Sequence, residues 1–168
     1  LYGAGEMFLS EDCSTITLIY PRVSTRDKQG FVCVQNLDVT DPGNIQEIDH
    51  VLITGSENTA RMVDGKLLLL TDFYIPYNRD FSDESTFLPQ IGKEGDMHSV
   101  AAEDIVAPEE LSSTQYTVAT LLDGKTLEIQ GSAAFLSYSD EVYVSRENIF
   151  ASRGYSVEQD DVRSSMTD

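Results

Sequence analysis

Residues 31–73 read FVCVQNLDVTDPGNIQEIDHVLITGSENTARMVDGKLLLLTDF, and residues 116–153 read YTVATLLDGKTLEIQGSAAFLSYSDEVYVSRENIFASR. Each stretch runs strand, tight turn, strand, loop, strand, turn, strand. The strand segments are short, alternate in polarity and are rich in Val, Ile, Leu, Thr and Tyr, which suits a half-buried pleated surface. Turn chemistry separates them. Asp41-Pro42-Gly43-Asn44 joins a residue with preset φ to one that allows positive φ. Asp64-Gly65 is a hairpin signal, and Asp123-Gly124-Lys125 punctuates the second copy.

Working outward, the pattern predicts strands over Met7–Ser10, Thr15–Arg22, Val32–Leu37, Ile45–Thr54, Ala60–Val63, Leu67–Phe73, Thr117–Leu122, Leu127–Phe135, Val142–Ser145 and Ile149–Ser152. An internal repeat of four short strands is the signature of a propeller blade. With strands labelled a to d from the axis outward, the chain reads a-b-c-d, a-b-c-d, a-b. The fold expected is all-β: antiparallel four-stranded β-propeller blades, a partial propeller of about two and a half blades in one domain, 1–168. Blade one covers about 7–54, and blade two about 59–136 with a loop insertion at 78–112. A half blade follows at 141–154, then a polar tail at 157–168. Closed rings have roughly four to eight blades, so these residues read as part of a ring. One short helical turn is expected around Ala102–Ile105, ending before Pro108. An open set of blades leaves end faces uncovered, so self-association through end blades is expected.

The chain has 168 residues, 40% of them hydrophobic, which suits a globular unit with a real core. No apolar stretch approaches the ~18 residues of a membrane span, so no direct membrane insertion by this segment is expected. Leu1 opens on no signal peptide, placing any export segment outside these residues. The formal net charge is −18, from 29 acidic and 11 basic residues. Such a chain is repelled by nucleic acid and by anionic lipid surfaces. The charge serves solubility, or acidic loops hold calcium or a basic partner. Two cysteines are too few for a disulfide scaffold. Pairing Thr15–Arg22 with Phe31–Leu37 sets Cys33 opposite Tyr20 and leaves Cys13 on the order of 20 Å away, so both are expected as free thiols.

Few residues spell out a reaction. His50 sits in the alternating strand IDHVLIT and His98 beside Ser99, and Gly55-Ser56-Glu57 is not a nucleophile elbow. Zinc needs clustered Cys and His, and there are two of each, far apart. No glycine loop of the phosphate-cradling types is present. A glycosidase would need a pair of carboxylates facing one pocket about 5–9.5 Å apart, and the sequence does not single one out. The insertion is more informative. It carries nine acidic and two basic residues, and long insertions in compact domains serve function or stay unstructured. Asn78, Asp80, Asp83 and Glu84 place four oxygen ligands within seven positions, a possible calcium site, or a solvated loop whose aspartates cap turns. Phe73, Tyr74, Tyr77, Phe81 and Phe87 cluster at the same place, as recognition surface or as a satellite core that pins the loop.

The runs TDFYIPYNRDFSDESTFLPQI (71–91), EDIVAP (103–108) followed by SSTQYTVA (112–119), and EVYVSRENIFAS (141–152) resemble secreted bacterial proteins with a C-terminal β-propeller domain, distantly related to WD-type repeats. The resemblance runs from about Phe31 to Arg153. It implies an exported, secreted or cell-surface location, and carries no catalytic residue over. The function expected is a surface module that binds extracellular protein, peptide or glycan through its loops. The alternatives are an extracellular hydrolase with part of its site outside this fragment, and a purely structural envelope protein. Ligand contacts are expected at Tyr74, Tyr77, Phe81 and Asp80, with no cofactor other than a possible calcium ion.

Overall fold

The computed structural model describes residues 5–23, 30–107, 114–137, 141–145 and 149–152. The polar tail 157–168 and the last residues of the insertion lie outside them. Two compact units divide the chain, Leu1–Tyr138 and Ser139–Asp168.

In the first unit the first four strands are β1 (Glu6–Leu9), β2 (Thr15–Val23), β3 (Gly30–Asp38) and β4 (Gln46–Thr54). They pair antiparallel in chain order, with Cys33 opposite Tyr20. Then β5 (Ser56–Val63) and β6 (Lys66–Tyr74) form a hairpin that begins the second sheet. Its turn is Asp64-Gly65, both at positive φ (51° and 74°), the conformation that an Asp-Gly pair permits at low cost. Within the insertion lie β7 (Gln90–Lys93), β8 (Asp96–Ser99) and β9 (Ile105–Val106). β10 (Gln115–Asp123) and β11 (Ile129–Phe135) complete the second sheet.

The blades are therefore antiparallel and four-stranded at their centres, and all-β as the repeat implies. Their outer edges differ from the expectation of a bare loop insertion. β7 pairs with β4 and β8 with β7, making the first sheet six-stranded. β9 runs parallel to β11, making the second five-stranded. Outer strands of open sheets expose a row of unpaired N–H and C=O groups, and the insertion covers both. A 3₁₀ turn at Ala102–Asp104 stands where a short helical turn was expected.

The two sheets share one core. Ile19, Val32, Val34, Val51 and Ile53 from the first meet Leu67, Leu69, Phe73, Val118 and Leu122 from the second, all buried. Each such side chain contributes about 1.5–3 kcal/mol when removed from water. Buried polar groups stitch this seam at both ends. At one end the fully buried Asn36 accepts a hydrogen bond from Thr17 Oγ1 (2.7 Å) and donates to the carbonyls of Gly124 and Lys125 (both 3.0 Å). At the other end Thr71 Oγ1 donates to Thr54 O (3.1 Å). The close packing of the turns explains Gly124: a Cβ there would sit 2.7 Å from Gly65 O and 2.9 Å from Met62 Sδ.

In the second unit β12 (Glu141–Val144) and β13 (Ile149–Ser152) form an antiparallel pair, with the rings of Tyr143 and Phe150 6.1 Å apart across it. Among the described residues no helix is long and apolar enough to cross a membrane. Cys13 and Cys33 are free, as the strand register requires.

Among the described residues two buried side-chain atoms, His50 Nε2 and Thr120 Oγ1, break the rule of satisfied polar atoms. Thr120 is fully buried, and its Oγ1 finds no partner among the described residues. Thr120→Val removes that hydroxyl at nearly constant shape. We expect it to raise unfolding free energy in urea by about 1 kcal/mol, and a loss of stability would contradict this reading of the core.

Candidate functional site

The insertion begins where β6 ends. Ile75 N–H bonds Thr114 O (2.7 Å), which ties the two ends of the insertion together. The chain then folds on two successive Asp-x-Ser turns. Asp80 Oδ1 accepts from the N–H (2.9 Å) and hydroxyl (2.7 Å) of Ser82. Asp83 Oδ1 accepts from the N–H (3.0 Å) and hydroxyl (2.6 Å) of Ser85, capping a 3₁₀ turn at Glu84–Thr86. Thr86 Oγ1 accepts from Asp80 N–H (3.0 Å) and lies 2.8 Å from the carbonyl oxygens of Asp80 and Asp83. Short polar side chains that bond their own backbone two residues on make such turns self-sufficient.

This folded root forms one wall of a cleft of about 600 Å³, within the usual size of ligand sites. Asn78, Asp83 and Thr86 line that wall, and Asp72 and Tyr74 come from the end of β6. Gly55, between β4 and β5, and Ser56, the first residue of β5, form the opposite wall. Gly55 has φ +106°, and a Cβ there would lie 2.4 Å from Asp72 O, so only glycine lets the two walls approach this closely. A bulge in β5 between Glu57 and Thr59 releases Asn58 from the ladder. Asn58 Nδ2 then donates to Asp72 Oδ2 (2.8 Å), while Thr117, directly opposite Asp72 on β10, donates from Oγ1 to Oδ1 (3.1 Å).

The residues singled out in the sequence divide. Tyr74 (65% exposed), Asn78 and Asp83 line the cleft. Tyr77 is 99% exposed and Phe81 73%, and neither belongs to its lining. Asp80 and Glu84 are also exposed outside the lining. The aromatic cluster splits too. Phe73 is buried and stacked on Tyr116 (6.3 Å, 11°), whereas Phe81 tilts against Phe87 (5.7 Å) and carries the Arg79 guanidinium 5.0 Å above its ring. Sequence reasoning missed Asp72 and Thr86. The first reads as an ordinary strand residue until its register with Thr117 is known.

Other chemistry finds little support in the geometry. Among the described residues no three His, Cys, Asp or Glu side chains converge as a metal-holding group, and Oδ1 of both Asp80 and Asp83 is engaged in turn formation. His50 Nδ1 lies 2.7 Å from Glu47 Oε1. Ser99 Oγ accepts from Gln90 Nε2 (2.8 Å) rather than bonding its neighbour His98, whose Nε2 is 3.3 Å from Asp96. Burial pushes the Cys33 thiol up, away from the thiolate form a nucleophile needs.

The same turn device recurs at the other end of the sheets. Asp12 Oδ1 accepts from the hydroxyls of Ser10 and Ser14 (both 2.7 Å) and from Ser14 N–H (3.0 Å). These donors hold the Asp12 carboxyl down at about 2, and Ser82 lowers Asp80 in the same way. A depressed carboxyl favours the folded turn fully above its unfolded value, near 3.9, and loses that effect as pH falls through its folded value. Carboxyl NMR titration should give a midpoint near 2 for Asp12, with Asp80 also below the ordinary aspartate value. The Ser10–Ser14 turn should open between about pH 4 and 2. Midpoints at or above the ordinary value would contradict the turn geometry.

The family model described as a beta propeller domain matches residues 6–167. No match is found among the curated proteins or among the solved structures. The family match spans nearly the whole chain and agrees with the four-stranded antiparallel blades: the chain belongs to the beta propeller domain family.

Proposed function

We propose that this β-propeller domain is a secreted or cell-surface interaction module, and that the cleft between the β4–β5 connection and the insertion is where it holds an extracellular protein, peptide or glycan. The carrying observation is the cleft itself: about 600 Å³, walled by a glycine-dependent close approach on one side and a self-capped loop on the other, with an exposed tyrosine at its mouth. Loops set on a rigid scaffold are where recognition residues concentrate. Tyrosine supplies contact area with a polar tip at small entropic cost. The extracellular assignment is supported by the resemblance of 71–91, 103–119 and 141–152 to exported propeller proteins, and by the strongly acidic composition.

Binding is favoured over hydrolysis by the state of the carboxylates. Both oxygens of Asp72 accept hydrogen bonds from neutral donors, and Asp83 Oδ1 is bound within its own turn. Carboxylates held in this way orient polar groups more readily than they shuttle protons.

The test is a panel of immobilised oligosaccharides and peptides screened with the wild-type chain and with Tyr74→Ala. Tyr74 is exposed, so the variant should keep its unfolding midpoint and lose about tenfold or more in affinity for any panel member that binds. Unchanged affinity in Tyr74→Ala, with loss instead in Leu9→Ala at the opposite end of the sheets, would move the site there.

A further inference from the structure

We propose that the cleft is selective for a basic peptide segment, with an arginine or lysine side chain inserted between Asp72 and Asp83 and lying against Tyr74. The inference rests on the cleft being the binding site and adds the class of its ligand. Among the described residues no Lys, Arg or His contributes to the lining, whereas Asp72 and Asp83 both do. Neither forms an ion pair among the described residues. Asp72 is met by Thr117 and Asn58, and Asp83 by Ser85, all neutral donors that orient a carboxylate without cancelling its charge. Two carboxylates that line one cleft, with no ion pair among the described residues, raise the local affinity for a cation and repel an anion. A neutral sugar would leave that charge uncompensated.

The insertion shows an interaction of the same kind within the chain. Arg79, four residues from Asp83, already lays its guanidinium 5.0 Å over the Phe81 ring. Tyr74, exposed and on the cleft wall, offers a second ring face of the same kind to an incoming cation. Charge over the whole chain acts in the same direction. At −18 it steers basic partners towards the surface, and the cleft selects among the arrivals.

The experiment follows backbone amide shifts of the full chain as three probes are titrated: a short peptide carrying two arginines, the same peptide with glutamate in their place, and a neutral oligosaccharide. The arginine peptide should shift the amides of Ser56, Asn78 and Thr86 and saturate, and its affinity should fall with added salt. Asp83→Asn retains the turn acceptor, and it and Asp72→Asn should each weaken binding about threefold to fivefold. Tyr74→Phe should bind as wild type and Tyr74→Ala should not. Glu11→Gln with Asp41→Asn removes two charges at the opposite end and should change affinity by less than about twofold. Equal weakening by that remote pair would reduce the effect to bulk charge and overturn the proposal. If the oligosaccharide or the glutamate peptide shifts the cleft amides and the arginine peptide does not, the cation preference falls while the cleft stands. If no probe and no panel member moves those amides, the cleft reading falls with it.

Discussion

Asn36 has no access to solvent, and its side-chain amide is satisfied only by groups from both sheets. Thr17, on the neighbouring strand, donates to its oxygen, and the carbonyls of Gly124 and Lys125, 88 and 89 residues away, take its two protons. A buried amide left unmade costs on the order of 1–3 kcal/mol for each stranded group, so the two sheets meet in the one alignment that satisfies it. Apolar packing alone, being non-directional, would tolerate small slips along the seam. Gly124 N–H also bonds Gly65 O (2.8 Å), which locks the two turns together. At the far end Thr71 and Thr54 provide a second pin, and Thr54 Oγ1 in turn accepts from Gln90 N–H (2.8 Å). The cleft opens one residue beyond that pin, since Gly55 follows Thr54 and Asp72 follows Thr71. Its width is therefore set by the same polar stitches that align the sheets.

The insertion belongs to this arrangement. It leaves the second sheet at Tyr74, adds β7 and β8 to the edge of the first, and returns to add β9 to the edge of the second. A segment tied by backbone ladders at two sheet edges holds Asn78, Asp83 and Thr86 in place more firmly than its short ion pairs do. Lys93–Asp49 (2.6 Å) and Arg22–Glu94 (2.8 Å) are largely solvent-exposed and contribute little each. Ligand contacts carried on such a braced loop keep their preorganisation, which is the cheapest source of affinity.

Much of the fold is legible in local pattern. Asp64-Gly65 specifies its turn because both residues tolerate positive φ. The alternation in TITLIY marks a strand, but its more buried face carries Thr15, Thr17 and Ile19 rather than Ile16 and Leu18. What local pattern cannot show is pairing between distant short segments. β7 is four residues with a glycine at its centre, and its partners Leu52 and Ile53 lie about 40 residues back, so QIGKEGDMHS reads as loop. The Asn36 stitch is hidden for the same reason. The aromatic and acidic content of 73–87 points to the corner where the cleft lies, and Tyr74, Asn78 and Asp83 line it. Tyr77 and Phe81 are exposed outside the lining, and two Asp-x-Ser turns engage Oδ1 of Asp80 and Asp83, oxygens that a count of carboxylates offers to calcium. Asp72 is found only through register, by the bulge that frees Asn58 and by the Thr117 opposite.

The most direct test of the account is a double-mutant cycle on Thr17 and Asn36, followed by urea unfolding. Asn36→Ala strands the buried Thr17 hydroxyl and leaves the part-buried carbonyls of Gly124 and Lys125 without their donor, and should cost about 2–4 kcal/mol. Thr17→Ala should cost about 1 kcal/mol or more, and the pair should fall short of additivity by about 1 kcal/mol, since one bond is removed twice. A loss below about 0.5 kcal/mol for Asn36→Ala, or simple additivity, would mean that apolar packing alone aligns the sheets and that the stitch does not set the seam.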